Sequence, residues 1–266
     1  MRGINNLNHK IILRFIKTPN FKSFAYAISQ VLFPPVCVFC GANIKHEYLL
    51  EGVCRLCISQ IPFRNISKNK IKCLEQRTEK QVQKLERFNI DVFVACNYDN
   101  MIRKSIVAMK FYDAAYMKHA FGSIISYIIG LQDEKFDGII PIPLHKSRFK
   151  ERGYNQAELI AKKVSEITGI PLIQNCLVRN INTKRQSEMS HYDQRLQNVS
   201  DAFFCKYPEQ IINKKVLLLD DILTSGETII SAANAIKDAV ERFKGINPRQ
   251  DCPYEITGIV IASSRK

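Results

Sequence analysis

Asp220 and Asp221 follow four aliphatic residues, Val216-Leu217-Leu218-Leu219, and lead through Ile222-Leu223 into Thr224-Ser225-Gly226-Glu227-Thr228. Two adjacent carboxylates beside a short turn of backbone N–H groups and three hydroxyls can grip the two hydroxyls of a ribose whose 5′-phosphate lies in the turn. The turn suits a phosphate because a helical pattern follows it: Ile229, Ala232, Ala233 and Ile236 recur at helix spacing. A helix N-terminus offers unpaired N–H groups and the positive end of its dipole. The spaced glycines and lysine of a Walker loop are missing, so this is not that kind of nucleotide cradle. The plain alternative is a strand that ends in solvated acids.

A second polar run leaves a second apolar strand. Gly138-Ile139-Ile140-Pro141-Ile142-Pro143 opens into Leu144, His145, Lys146 and Arg148, with Lys150 and Arg152 following, then Gly153, Tyr154, Asn155 and Gln156. Proline is confined to strand ends and edges, so Pro141 and Pro143 stop the pairing and stiffen the exit. Clustered cations above a sheet edge suit a pyrophosphate, with arginine supplying forked contacts and lysine a point charge. Taken alone, the run also reads as a solvated basic turn.

Four of the nine cysteines form two Cys-x-x-Cys pairs, Cys37/Cys40 and Cys54/Cys57, separated by thirteen residues. That spacing lets four thiolates meet one tetrahedral Zn²⁺ at ~2.3 Å each, and a closed four-sulfur shell leaves no position for a reacting water. The predicted zinc is therefore structural. A redox dithiol is the competing reading, and it needs only one such pair. Cys73, Cys96, Cys176, Cys205 and Cys252 are scattered and read as ordinary buried or partly buried thiols. An odd cysteine count with four clustered points to a reducing, cytoplasmic setting.

The elements that must position these groups alternate along the chain. Strands are expected at 91 to 98, 138 to 142, 216 to 220 and 256 to 262. Helices are expected at 101 to 110, 114 to 129, 155 to 168 and 226 to 241. This is an α/β pattern with a central parallel sheet flanked by helices, which places the acids at the carboxyl end of a strand, where open α/β sheets bind ligands. Ahead of it lie a basic N-terminal arm (1 to 30), a four-cysteine module (31 to 62) and a charged connector (63 to 90) with its best helical stretch at 79 to 88. The α/β domain covers 91 to 266. The chain carries a net charge of +14 and 46% hydrophobic residues, and its first 46 residues contain no acid. That excess favours nucleic acid, anionic lipid or a polyphosphate. Arg14 and Lys17 interrupt the first amphipathic segment of the arm, 11 to 17, which falls short of a membrane span. A helix lying on the inner membrane surface, a solvated arm and an organellar presequence all remain open for it. Arg185 and Arg195 beside Tyr192 read either as a nucleic-acid groove or as a solvated face.

With these residues in hand, the acidic pair and its turn resemble the 5-phosphoribosyl-1-pyrophosphate (PRPP) motif of type I phosphoribosyltransferases. The chain from about Val31 onward resembles the ComF family of competence proteins, which join a four-cysteine zinc ribbon to that fold. The likeness extends to Tyr98, Arg103 and Lys110-Phe111, to Pro141-Ile142-Pro143-Leu144-His145, to Arg152-Gly153-Tyr154-Asn155-Gln156, and to Arg179, Thr183, Gln186, Arg195, Asn198-Val199 and Ala202-Phe203. Tyr154 stands where phenylalanine is usual, Met189 for leucine and Ser225 for threonine. The resemblance implies that Asp220 and Asp221 hold the ribose hydroxyls, that Thr224 to Thr228 hold the 5′-phosphate, and that Leu144 to Arg148 hold pyrophosphate with Mg²⁺. It also makes 152 to 156 a mobile cover. Its implied partners are PRPP, single-stranded DNA, and a DNA-uptake helicase or other competence proteins. Two functions fit: transfer of a phosphoribosyl group to an unidentified acceptor, or a PRPP-sensing, DNA-binding accessory of natural transformation.

Overall fold

The structure is a computed structural model and describes residues 34–44, 49–64, 69–71, 90–179, 202–246 and 254–265. The arm, the helix expected at 79 to 88, and Arg185, Tyr192 and Arg195 lie outside the described residues.

Seven strands and six α-helices are described. The strands are β1 (Asn69–Ile71), β2 (Ile90–Asn97), β3 (Gly138–Pro141), β4 (Leu177–Arg179), β5 (Phe203–Cys205), β6 (Lys214–Leu223) and β7 (Tyr254–Ser263). The helices are α1 (Arg55–Gln60), α2 (Asn100–Phe111), α3 (Lys118–Gly130), α4 (Lys146–Arg152), α5 (Gln156–Thr168) and α6 (Glu227–Ile246). The main sheet runs in the order β1-β2-β7-β6-β3. β2, β7, β6 and β3 are mutually parallel and β1 pairs antiparallel with β2. β4 and β5 form a separate antiparallel pair.

Continuous apolar strands are the mark of a parallel sheet covered on both faces, because every side chain then meets protein. β6 and β7 show this directly. Leu217, Leu219, Ile259 and Ile261 pack in one core with Phe93, Phe121, Ile124 and Ile160, whereas Val216, Leu218 and Val260 pack in the other with Ile140, Ile229 and Ile236. The first core lies beneath α2, α3 and α5, the second beneath α6 and the β4–β5 pair. The cysteine module belongs to the first core: Cys37, Leu50, Val53, Cys57 and Ile61 are buried within it. Past the module, Phe63 bridges antiparallel to Cys96, and its ring lies 5.7 Å from that of Tyr127.

Most expected elements appear within a few residues of their predicted ends. Three differ. β6 does not stop at residue 220 but pairs with β7 as far as Leu223↔Ser263, so the acids sit inside a paired strand. The basic run after β3 is largely helical rather than a loop, because the His145 side chain accepts from the Ser147 N–H and caps α4. β1 lies within the connector, where only charge and helix pattern were legible.

Gly258 sits in the middle of β7 with no room to spare. A Cβ there would lie 2.7 Å from Val92 Cγ2 and 3.4 Å from Ile229 Cγ2. Both neighbours are branched and buried, so overpacking is relieved only by moving β2 or α6. Gly258→Val is expected to destabilise the fold by about 1–3 kcal/mol, measured by chemical denaturation. Unchanged stability would mean that the two layers pack loosely against the sheet.

Candidate functional site

Parallel pairing brings the strand exits to one rim. Pro141 pairs with Leu219, and the Ile142 N–H donates to the Leu219 carbonyl at 2.9 Å, so the exit of β3 lies beside Asp220. The Thr224 to Thr228 turn follows directly. Gly226 takes φ +81°, which favours glycine, and reverses the chain into α6. The Ser225 hydroxyl accepts from the Glu227 N–H at 3.4 Å, while Thr224 and Ser225 are exposed. The turn is tied down from β7, where the Arg265 Nε–H donates to the Thr224 carbonyl at 2.6 Å and the Ser264 N–H donates to the Leu223 carbonyl.

The two acids meet different sets of neighbours. Asp221, 8% exposed, meets Lys110 from the last turn of α2, with Nζ–Oδ2 at 2.7 Å. Asp220 feels the charges of Lys110 and Arg179, and its own Oδ1 accepts from the Asp221 N–H at 2.8 Å. Desolvation, together with the charge of Asp221, pushes the Asp220 carboxyl up to about 7. The Asp221 N–H, Lys110 and Arg179 pull it back. A carboxyl in this range sits between its neutral and charged forms near neutral pH, which suits a group that must meet sugar hydroxyls or a cation on demand.

The basic exit is more ordered than a loop. The His145 Nδ1 is engaged with Ser147, 3.2 Å from its N–H and 2.8 Å from its Oγ. Lys146 is exposed, and Arg148 is partly buried and acts electrostatically on Arg179. The segment assigned to a mobile cover is pinned here as the junction between α4 and α5. Gly153 ends α4 at φ +77° and Asn155 caps α5. The Asn155 amide donates to the Ile142 carbonyl at 3.0 Å. Tyr154 Oη and Gln156 Nε2 both donate to the Met109 carbonyl. Asn155 and Gln156 are buried.

Sequence reasoning assigned no role to Lys110, Arg179 or Arg265. Lys110 and Arg179 stood in the family-like segments. What made them site residues, a strand end tens of residues away, is not a local signal.

The second site is the cysteine cluster. All four sulfurs of Cys37, Cys40, Cys54 and Cys57 lie within 4.8 Å of one another. Gly41 at φ +73° and Gly52 at φ +75° allow the tight turns beside the first and second pairs. Burial raises the Cys37 thiol, but N–H groups of Cys54, Cys40 and Phe39 outweigh it and bring it down to about 7. Cys57 is pushed far up by burial and by the other three sulfurs. Four thiols so close cannot all ionise unless a cation joins them, so the donor set fits a metal such as zinc.

No family model matches the chain. Over 202 residues it is 27% identical to competence protein ComFC of Bacillus subtilis, spanning 76% of this chain and 77% of that one. It is 36% identical over 94 residues to competence protein F of Haemophilus influenzae, spanning 35% of this chain and 41% of that one. To DNA utilization protein YhgH of Escherichia coli O157:H7 it is 28% identical over 100 residues, 38% of this chain and 43% of that one. Among solved structures it is similar to adenine phosphoribosyltransferase from Leishmania donovani, with a TM-score of 0.36, 11% identity, and 65% of this chain and 83% of that chain covered. For glutamine PRPP amidotransferase from B. subtilis the values are 0.33, 16%, 57% and 26%. The chain is thus similar to a competence protein over about three quarters of its length, and in it a four-cysteine cluster precedes an α/β domain built on a central parallel sheet.

The raised Asp220 has a measurable consequence. Its folded pKa exceeds the ordinary 3.8, so its contribution to stability is fully present below that value and is lost as pH rises through about 7. Asp220→Asn removes this loss. The ligand-free variant is expected to melt a few degrees above wild type at pH 8, at about 2–4 °C per kcal/mol gained, with the gap closing as pH falls to the ordinary 3.8. Equal gaps at both pH values would show that Asp220 does not titrate in this window.

Proposed function

We propose that this chain binds PRPP at the rim formed by the exits of β3 and β6 and transfers the phosphoribosyl group, in a role connected with DNA uptake. One observation carries the reading: Asp220 and Asp221 lie beside the β3 exit, and the Thr224 to Thr228 turn leads straight from them into α6. Asp220 and Asp221 would take the ribose hydroxyls. Thr224, Ser225, Gly226, Glu227 and Thr228 would take the 5′-phosphate at the start of a 20-residue helix. Leu144, His145, Lys146 and Arg148 would receive the pyrophosphate, which PRPP carries with Mg²⁺.

The reaction is departure of pyrophosphate from C1 through an oxocarbenium-like state. Carboxylates beside the ribose stabilise its developing positive charge, cations hold the leaving group, and cover by 152 to 156 excludes water. No serine, cysteine or lysine nucleophile is needed. The cysteine cluster would hold a structural Zn²⁺ that closes the module against α3. The names of the relatives, two competence proteins and a DNA utilization protein, support a role in natural transformation.

The net charge of +14 favours a second reading, in which the site senses PRPP and a basic surface binds single-stranded DNA. No helix among the described residues is long and apolar enough to cross a membrane, and contact with the membrane surface through the N-terminal arm belongs to this second reading.

Calorimetry with PRPP and Mg²⁺ tests the site. Asp220→Ala with Asp221→Ala is expected to abolish detectable binding, and unchanged affinity would place the ligand elsewhere. Adding bases, amines and single-stranded DNA while following pyrophosphate release separates the two readings: release with one acceptor class marks the enzyme, and binding without release marks the sensor.

Elemental analysis is expected to find one zinc per chain. Cys54→Ser should lose it and unfold the module, which has too little core of its own to fold without metal. Metal-free protein with an intact module would exclude the structural role.

A further inference from the structure

We infer that Tyr154 and Gln156 are positioning residues that hold Lys110 against Asp221, so that segment 152 to 156 and the acidic pair act as one unit. Its functional half rests on the PRPP reading above. Met109 is in the last turn of α2, where backbone carbonyls have no partner within the helix. Its carbonyl instead accepts from Tyr154 Oη at 2.7 Å and from Gln156 Nε2 at 3.2 Å. Arg152 completes the clamp, with Nη1 3.2 Å from Gln156 Oε1 and its guanidinium 5.2 Å above the Phe111 ring. Met109 and Gln156 are 1% and 2% exposed, so water has little access to replace these donors. The next residue along α2 is Lys110, whose Nζ lies 2.7 Å from Asp221 Oδ2.

The groups facing the acidic pair come from three elements. α2 supplies Lys110, β4 supplies Arg179, and α4 supplies Arg148, which acts on Arg179. Asp113 and Arg152 act on Tyr154. Lys110 is thus the cation that a shift of segment 152 to 156 moves most directly. A ligand that draws this segment over itself takes both donors from Met109, loosens the end of α2 and turns the lysine from Asp221 toward the incoming pyrophosphate. The acids then meet the ribose without their resident counter-charge.

The test uses the full-length protein without ligand and follows the Asp220 carboxyl by carbon-13 NMR, assigned with Asp220→Asn. Lys110→Met is expected to raise its midpoint, and Lys110→Arg to restore it. Tyr154→Phe with Gln156→Leu should raise it in the same direction by about half a pH unit, and should add nothing further on the Lys110→Met background. In calorimetry the same pair of substitutions, which removes contacts made only in the ligand-free state, is expected to tighten Mg²⁺–PRPP binding about tenfold, that is by about 1.4 kcal/mol. Should the double variant not fold, Gln156→Leu alone serves. A wild-type midpoint in the clamp variants, or a full additional shift on the Lys110→Met background, overturns the inference. Because the titration needs no ligand, a wild-type protein that fails to bind PRPP overturns the functional reading and leaves the midpoint to decide the clamp.

Discussion

Two adjacent carboxylates on a strand covered from both sides need counter-charges from the layers packed on it, because burial makes an unpaired charge costly. α2 meets this with Lys110 at 2.7 Å from Asp221, and β4 meets it with Arg179 near Asp220. The placement of α2 and of the β4–β5 pair is therefore tied to the charge state of the rim, and neither layer can move without changing it.

The same rim collects the other chemical groups because the four central strands are parallel. Their carboxyl ends face one way, so the β3 exit, the acids, the glycine turn into α6 and the end of β7 converge although they are far apart in the chain. The cysteine module is held to the same body by buried contacts, and also by Glu51, whose carboxylate bridges His119 at 2.7 Å and Lys163 at 2.6 Å. Those partners lie on α3 and α5, and α5 starts at Gln156. The cysteine module and the segment beside the acids thus share a helix.

Two features moved the picture away from its simplest form. Pairing with β7 carried β6 two residues past the acids, since Ile222 and Leu223 still had backbone partners across the sheet. The basic exit of β3 became a helix because His145 could cap it locally and Gly153 could end it. Both follow from hydrogen bonds that a pattern of apolar and charged residues does not display.

Read alone, the chain determined a good deal: the parallel sheet from its unbroken aliphatic runs, the metal-type cluster from two Cys-x-x-Cys pairs, and the strand-to-helix turn at one end of the sheet from acids followed by Thr-Ser-Gly-Glu-Thr. Each of these is a local signal, because periodicity, motif spacing and turn chemistry act within a dozen or so residues. Only the tertiary structure decided that Lys110 belongs to the acidic pair, that Met109 is gripped by Tyr154 and Gln156, and that Asp220 titrates near neutrality. Those depend on distances between segments separated by 45 residues or more, and on how much water the fold leaves around a charge. Neither quantity is set until the layers have packed.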